Sequence, residues 1–231
     1  MVNPVWSFGV LLLPGFQLLD MAGTIDYFQL HSFEYMNGIG LATPDIINNA
    51  PIINWHFIAQ DMNPVNTSVG PPVPPTVTFE TAPKLDYLLV PGSDPFVVLP
   101  SVATKFVQKT FHDPSLKGLL TVCTGSMVLA QTGILDNHKV CSNKMVLKYA
   151  SEHGLINHNV TWIGDRRWNQ DGKVWSAAGV TAGLDLAAGF LENWIAEDGR
   201  KLAQDLFEYH PNPRFPDRFA SILAGVDVNK K

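Results

Sequence analysis

The chain has 231 residues, of which 46% are hydrophobic and 16% charged, so it can bury a sizeable core and is not disordered. Its net charge of -5 and the lack of any long Lys/Arg run disfavour nucleic acid and membrane surfaces as partners. Two cysteines, Cys123 and Cys141, are too few for a secreted disulfide scaffold, and no stretch approaches the roughly 20 apolar residues of a membrane span. We therefore expect a cytoplasmic protein with reduced thiols.

Strand-like and helix-like patterns alternate along the chain. Strands are predicted at 6–13, 51–60, 76–80, 87–93, 118–122, 138–142 and 159–164, and as a pair within 166–178 that turns at 170–172. Helices are predicted at 18–32, 101–112, 124–132, 143–153 and 180–209, the last with a break near Asp198-Gly199. Continuously apolar strands between helices indicate an α/β fold, with a mostly parallel sheet covered on both faces.

Proline is concentrated in two segments. Residues 62–75 combine Pro and Gly at high density, which predicts a loop or a protruding arm. The segment 210–219 contains three prolines and is expected to be extended, lying on the body of the protein or on a partner.

Ligands of such sheets bind at the carboxyl ends of the strands, which directs attention to residues 14–20, 91–94 and 123–126. Cys123 stands where a strand gives way to a helix, the arrangement of a nucleophile elbow. The nearby helix N-terminus would lower the pKa of this thiol. The alternative is a buried cysteine that only fills space.

Asp20 is either an ordinary helix N-cap or a carboxylic acid that faces the thiol. Gly92 and Ser93 form either a plain turn or a pair of backbone N–H donors for a developing negative charge, with the Thr124 amide as a further donor. Asp26 is expected to be solvated on its helix.

The remaining candidates carry less chemistry. Cys141 is expected to be structural, inside its strand. The seven histidines lack metal-binding spacing and no phosphate-binding loop is present, so neither a metal nor a nucleotide site is predicted. The glycines of GVTAGLD (179–185) are interpreted as packing a helix closely on the sheet near the cysteine.

The segments LLLPGFQLLDMAG, YLLVPGS, TVCTGSMVLAQTGIL and SAAGVTAGLDLAAGFL together resemble the ThiJ/PfpI superfamily. The resemblance covers about residues 6–195 and implies a class I glutamine amidotransferase-like, flavodoxin-like fold. We expect one such domain over 1–231, with the Pro-rich arm (about 62–75) and a C-terminal tail (about 197–231) outside the shared core. The isonitrile hydratase-like branch is the most similar, because it also has the Cys-Thr-Gly elbow and an Asp on the first loop.

The resemblance implies a role for each matching residue. Cys123 would be the nucleophile and Asp20 the proton donor and acceptor, while Thr124, Gly92 and Ser93 would line a small pocket. It also implies a small-molecule substrate, no cofactor, no metal and a homodimer with the site near its interface.

Three positions depart from the family pattern. Thr124 stands where many members have a His, which weakens a Cys-His-acid triad. The usual Pro-Gly-Gly loop ends in Ser93. Residues 141–144 read Cys-Ser-Asn-Lys, where the hydratase branch often has Thr-Thr-His-Trp, so the pocket wall is expected to differ.

These residues favour a lyase that hydrates an isonitrile, because one thiol and one carboxyl group suffice for that reaction. Two alternatives use the same cysteine: carbonyl chemistry of the glyoxalase III or deglycase type, or a specialised biosynthetic step. A non-catalytic thiol redox sensor stays open as well. The ligand-sensing half of a transcription regulator is disfavoured, because the residues after Glu197 are too few for a helix-turn-helix domain.

Overall fold

The computed structural model describes residues 3–230. Its strands are β1 (Val5–Leu11), β2 (Ile52–Ala59), β3 (Val77–Thr78), β4 (Tyr87–Val90), β5 (Gly118–Thr121), β6 (Lys139–Val140), β7 (Thr161–Trp162), β8 (Trp168–Asp171) and β9 (Val174–Ala177). Seven of them form one sheet in the order β3-β2-β1-β4-β5-β9-β8, where β8 runs antiparallel to β9 and the other neighbours are parallel. Strands β6 and β7 form a separate parallel pair.

Helices cover both faces of the sheet. They are α1 (Leu18–Gln29), α2 (Phe33–Gly38), α3 (Pro44–Asn49), α4 (Ser101–His112), α5 (Gly125–Ala130), α6 (Lys144–Glu152), α7 (Ala182–Leu191) and α8 (Glu197–Phe207), with a 3₁₀ helix at Ala220–Leu223. The predicted α/β fold with a mostly parallel sheet is therefore confirmed. Within residues 3–230, none of these helices has the length and hydrophobicity needed to cross a membrane.

The central strands are apolar throughout because both of their faces are buried. Leu88 and Leu119, paired across β4 and β5, belong to the cluster that packs against α4, α5 and α6. The next pair, Leu89 and Leu120, points to the opposite face and packs with α1 and α7. The carboxyl ends of β1, β4 and β5 consequently meet at one edge of the sheet.

Several predicted elements are longer than the observed ones, and two of these differences have a clear physical reason. The helix predicted over 180–209 breaks at residues 192–196, and Asp198-Gly199 lies in the first turn of α8. Acidic residues stabilise a helix start, which explains why this dipeptide begins a helix instead of interrupting one. Cys141 follows strand β6 instead of lying inside it, because its N–H donates to the Ser176 hydroxyl and leaves the ladder.

The proline-rich loop 62–75 folds back on the body. Bridges join Phe16 to Thr67 and Val65 to Val73, which attaches the loop to the segment after β1. It is thus a loop and not a protruding arm. The second proline-rich segment also lies on the body, as predicted: the Arg214 guanidinium donates to Asn169 Oδ1 at 2.6 Å.

Candidate active site

Cys123 lies on a sharp turn between β5 and α5. Its φ angle is +56°, in the left-handed region that residues with a side chain rarely adopt. Gly125 is what allows the turn to lie this close to β4, since a Cβ atom there would be only 2.3 Å from the Val90 carbonyl oxygen. The backbone geometry is that of the elbow expected from the sequence.

Two serine hydroxyl groups donate hydrogen bonds to the backbone of the elbow. The carbonyl oxygen of Cys123 accepts hydrogen bonds from Ser142 Oγ at 2.9 Å and from Ser126 Oγ at 3.3 Å. Both serines are fully buried. These bonds orient the strained residue so that its side chain faces the edge of the sheet.

Asp20 is fully buried in the first turn of α1. It is not the N-cap, a position that Gln17 occupies; its Oδ2 instead accepts from the Gly92 N–H at 2.8 Å. Within residues 3–230 its Oδ1 has no hydrogen-bond partner. Burial raises the pKa of Asp20 from 3.8 to about 7, against the opposing effect of the Gly92 hydrogen bond.

Gly92 is the point where the candidate residues meet. A Cβ atom at Gly92 would lie 2.8 Å from Asp20 Oδ2, 2.8 Å from Thr124 Oγ1 and 3.0 Å from Cys123 Cβ. The structure therefore brings Cys123, Asp20, Thr124 and Gly92 together. Only a residue without a side chain fits between them.

The predicted lowering of the thiol pKa is wrong. Burial and, next, the Asp20 charge raise the pKa of Cys123 from 9.0 to about 11. Hydrogen bonds from the Thr124 amide and from the Asn143 side chain act in the opposite direction. The loss of water on burial outweighs these donors.

The amide of Gly92 donates to Asp20, so it is not free to stabilise a developing negative charge at the thiol. Ser93 lies beside the site, where its carbonyl accepts from Thr124 Oγ1 at 2.6 Å and its hydroxyl donates to the Pro14 carbonyl at 3.2 Å. The Thr124 amide acts on the sulfur, together with the Asn143 side chain.

Asn143 was not among the predicted site residues. Its Nδ2 donates to Cys123 Sγ at 3.5 Å, while its Oδ1 caps α6 by accepting from the amides of Met145 and Val146 at 3.1 and 3.2 Å. The cap could have been inferred from Asn at a helix start. The contact with the thiol spans 20 residues of sequence, so only the altered wall at 141–144 hinted at it.

The other predicted residues lie outside the site. Cys141 is fully buried, and burial raises its pKa to about 12. Asp26 is exposed on α1, as expected. Gly183, inside the glycine-rich segment, packs α7 closely: a Cβ atom there would be 2.6 Å from Thr24 Oγ1 and 3.1 Å from Val122.

The fold and the cysteine elbow define a class of protein, and the chain belongs to it: the DJ-1/PfpI family, whose sequence model matches residues 9–193. The predicted resemblance is thereby confirmed. The chain is 28% identical to a protein of Pseudomonas putida named isonitrile hydratase, over 96% of this chain and 88% of that protein.

Two other groups of proteins are similar. The HTH-type transcriptional regulator GbdR of Pseudomonas aeruginosa is 24% identical, and this chain spans about half of its length (87% of this chain, 49% of the regulator). Among solved structures, a ThiJ/PfpI family protein from Pseudomonas syringae superposes with a TM-score of 0.71 at 23% identity, over 92% of this chain and 78% of that one. Drosophila melanogaster DJ-1beta gives a TM-score of 0.66 at 14% identity, over 91% and 100%. These two structures establish the fold alone.

Proposed function

We propose that the protein adds water to an isonitrile to give an N-substituted formamide, with Cys123 as nucleophile and Asp20 as general acid and base. The observation that carries the proposal is the buried carboxyl group of Asp20, which lies next to the thiol and has one oxygen without a hydrogen-bond partner among residues 3–230. The Pseudomonas putida relative, named isonitrile hydratase, supports the same reaction.

The protonation states of Cys123 and Asp20 near neutral pH suit addition to the terminal carbon of an isonitrile. Near neutral pH the thiol is protonated, because the pKa of Cys123 is about 11. The pKa of about 7 lets Asp20 both accept and return a proton. Asp20 takes the thiol proton while sulfur bonds to the isonitrile carbon, then delivers that proton to the same carbon. The product of this step is a thioimidate on Cys123.

Hydrolysis of the thioimidate uses the same pair. Asp20 removes a proton from water as the oxygen bonds to the thioimidate carbon and delivers it to the nitrogen, which gives a tetrahedral adduct. Asp20 then takes the hydroxyl proton of the adduct while the carbonyl forms and the carbon–sulfur bond breaks, and it returns this proton to sulfur as the N-substituted formamide leaves. The sum of the two steps is the addition of one water molecule, and the chemistry uses one thiol and one carboxyl group.

The burial and raised pKa of the thiol argue against a redox sensor at Cys123. Sensor cysteines are exposed and have a lowered pKa, because the thiolate is the species that is oxidised. Cys123 is only 8% exposed, and burial raises its pKa. Carbonyl chemistry at the same cysteine is distinguished by assay and not by this geometry.

The test measures formamide production from cyclohexyl isonitrile by the wild-type protein, Cys123→Ala and Cys141→Ala. We expect turnover by the wild type and by Cys141→Ala, whose cysteine is buried outside the site, and none by Cys123→Ala. Methylglyoxal consumption is followed in parallel. Turnover of methylglyoxal without turnover of the isonitrile would replace hydration by carbonyl chemistry.

The homodimer implied by the resemblance stays a prediction. Light scattering of the purified chain tests it, because a mass near the 25.4 kDa of one chain would contradict it.

A further inference from the structure

A cavity of about 220 Å³ lies between the start of α6, the segment before α7 and the C-terminal tail. Its apolar lining comes from Met145, Val180, Phe219 and Ile222. A wider groove along α8 is lined by residues of that helix and the segment after it, and its lining includes none of the candidate site residues. The 220 Å³ cavity is lined by Asn143, whose side chain contacts the Cys123 sulfur.

Asn143 connects this cavity to the thiol. The residue lines the cavity, and its Nδ2 donates to Cys123 Sγ at 3.5 Å. Gly179 also lines the cavity, and a Cβ atom at Gly179 would lie 3.7 Å from Asn143 Nδ2. The cavity and the thiol therefore share Asn143 as a common neighbour.

The charged groups at the cavity are paired with each other. Lys144 Nζ lies 2.5 Å from Asp217 Oδ2, and Arg167 lies 2.6 Å from Asp185 Oδ2, with both pairs buried. A charged ligand would have to compete with these partners, whereas a neutral one leaves them intact.

The apolar lining is partly open to solvent. Met145 is 60% exposed and Phe219 is 48% exposed, so two large apolar side chains lie at the rim. Apolar side chains grouped at a concavity mark a binding site.

The volume limits the size of the occupant. An apolar cavity of roughly 150 Å³ binds benzene, which has six non-hydrogen atoms. By proportion, this cavity accommodates about nine non-hydrogen atoms. A cyclohexyl, phenyl or benzyl group is smaller than this limit.

We propose that this cavity, walled in part by the C-terminal tail, binds the R group of the isonitrile. The inference rests on the proposed function for the reaction but not for the binding. The C-terminal tail, through Phe219 and Ile222, would set the substrate preference.

The first test does not require turnover. N-cyclohexylmaleimide and N-methylmaleimide are compared as labels of Cys123 in the Cys141→Ala background, with mass spectrometry as the readout. We expect Ile222→Trp, which fills the cavity, to lower the cyclohexyl-to-methyl rate ratio roughly tenfold. Leu155→Trp, which adds the same bulk at a 53% exposed position after the far end of α6, should leave the ratio unchanged.

Phe219→Ala serves as the second variant, because a partly exposed side chain can be shortened without loss of folding. It should lower the ratio in the same direction. A ratio that changes by less than twofold in both cavity variants overturns the subsite.

The second test measures formamide from methyl and cyclohexyl isonitrile with the same variants. If no isonitrile is turned over but the maleimide preference depends on Ile222, the hydratase proposal fails and the subsite stands. If both isonitriles are turned over and the variants affect them equally, the subsite fails and the hydratase proposal stands.

Discussion

Asp20→Asn is expected to stabilise the protein at alkaline pH. The pKa of Asp20 is 3.8 in an ordinary setting and about 7 in the folded protein, because the carboxyl group is buried. The folded state therefore holds this proton more tightly than the unfolded chain, and the free energy of unfolding falls as the pH rises from about 4 to about 7. The gap of about three pKa units corresponds to about 4 kcal/mol.

Asparagine removes the charge and keeps an oxygen that can accept from the Gly92 amide. At pH 8 the Asp20→Asn variant should be more stable than the wild type by up to about 4 kcal/mol. At pH 4, where the wild-type carboxyl group is largely protonated in the folded state, the difference should fall below about 1 kcal/mol. Turnover should be lost at both pH values, since asparagine cannot transfer the proton.

Urea denaturation at the two pH values measures this difference. Asp26→Asn is the matched control, because Asp26 lies on the same helix but is exposed, and it should change stability little at either pH. A variant at position 20 that is no more stable than the wild type at pH 8 would refute the conclusion that burial controls this carboxyl group. A gain that is the same at pH 4 would refute it as well.

Three further measurements examine the site. The kcat/KM for an isonitrile should follow a bell-shaped pH profile with limbs at about 7 and about 11, because the Asp20–Cys123 pair must hold one proton; a flat profile between pH 6 and 8 would contradict this. Asn143→Asp keeps the oxygen that caps α6 but loses the donor to the thiol, so alkylation of Cys123 should shift to higher pH while the free energy of unfolding stays nearly unchanged. Asn143→Ala loses both, so it should also lower the free energy of unfolding by about 1 kcal/mol in urea denaturation. Gly92→Ala should lose about 1–3 kcal/mol because its methyl group contacts three site residues, while Gly38→Ala, with open space around it, should not; equal effects would contradict the crowding.

The elements that carry the candidate site could be predicted because each has a local signal. The apolar runs before Pro91 and Cys123 specify buried strands, and helix α4 was predicted with its observed bounds. The small residues Thr124 and Gly125 after the cysteine are typical of a tight strand-to-helix turn. These signals depend only on neighbours in the sequence.

What the sequence did not predict depends on tertiary contacts. The thiol pKa was misjudged because the helix N-terminus can be read from the sequence, whereas the degree of burial and the nearby Asp20 charge arise only on folding. The bond between Gly92 and Asp20 joins residues 72 positions apart. Asn143 was overlooked for the same reason, since its cap is local and its bond to sulfur is not.

The buried ion pair of Lys144 with Asp217 joins the shared family segment to the tail. Lys144 lies within residues 9–193, whereas Asp217 follows them. The walls of the cavity are consequently encoded by two stretches of the chain: the shared segment, which also holds Cys123 and Asp20, and the tail, which adds Asp217, Phe219 and Ile222. Under the proposed subsite, substitutions in the tail would alter the accepted R group while Cys123 and Asp20 stay as they are.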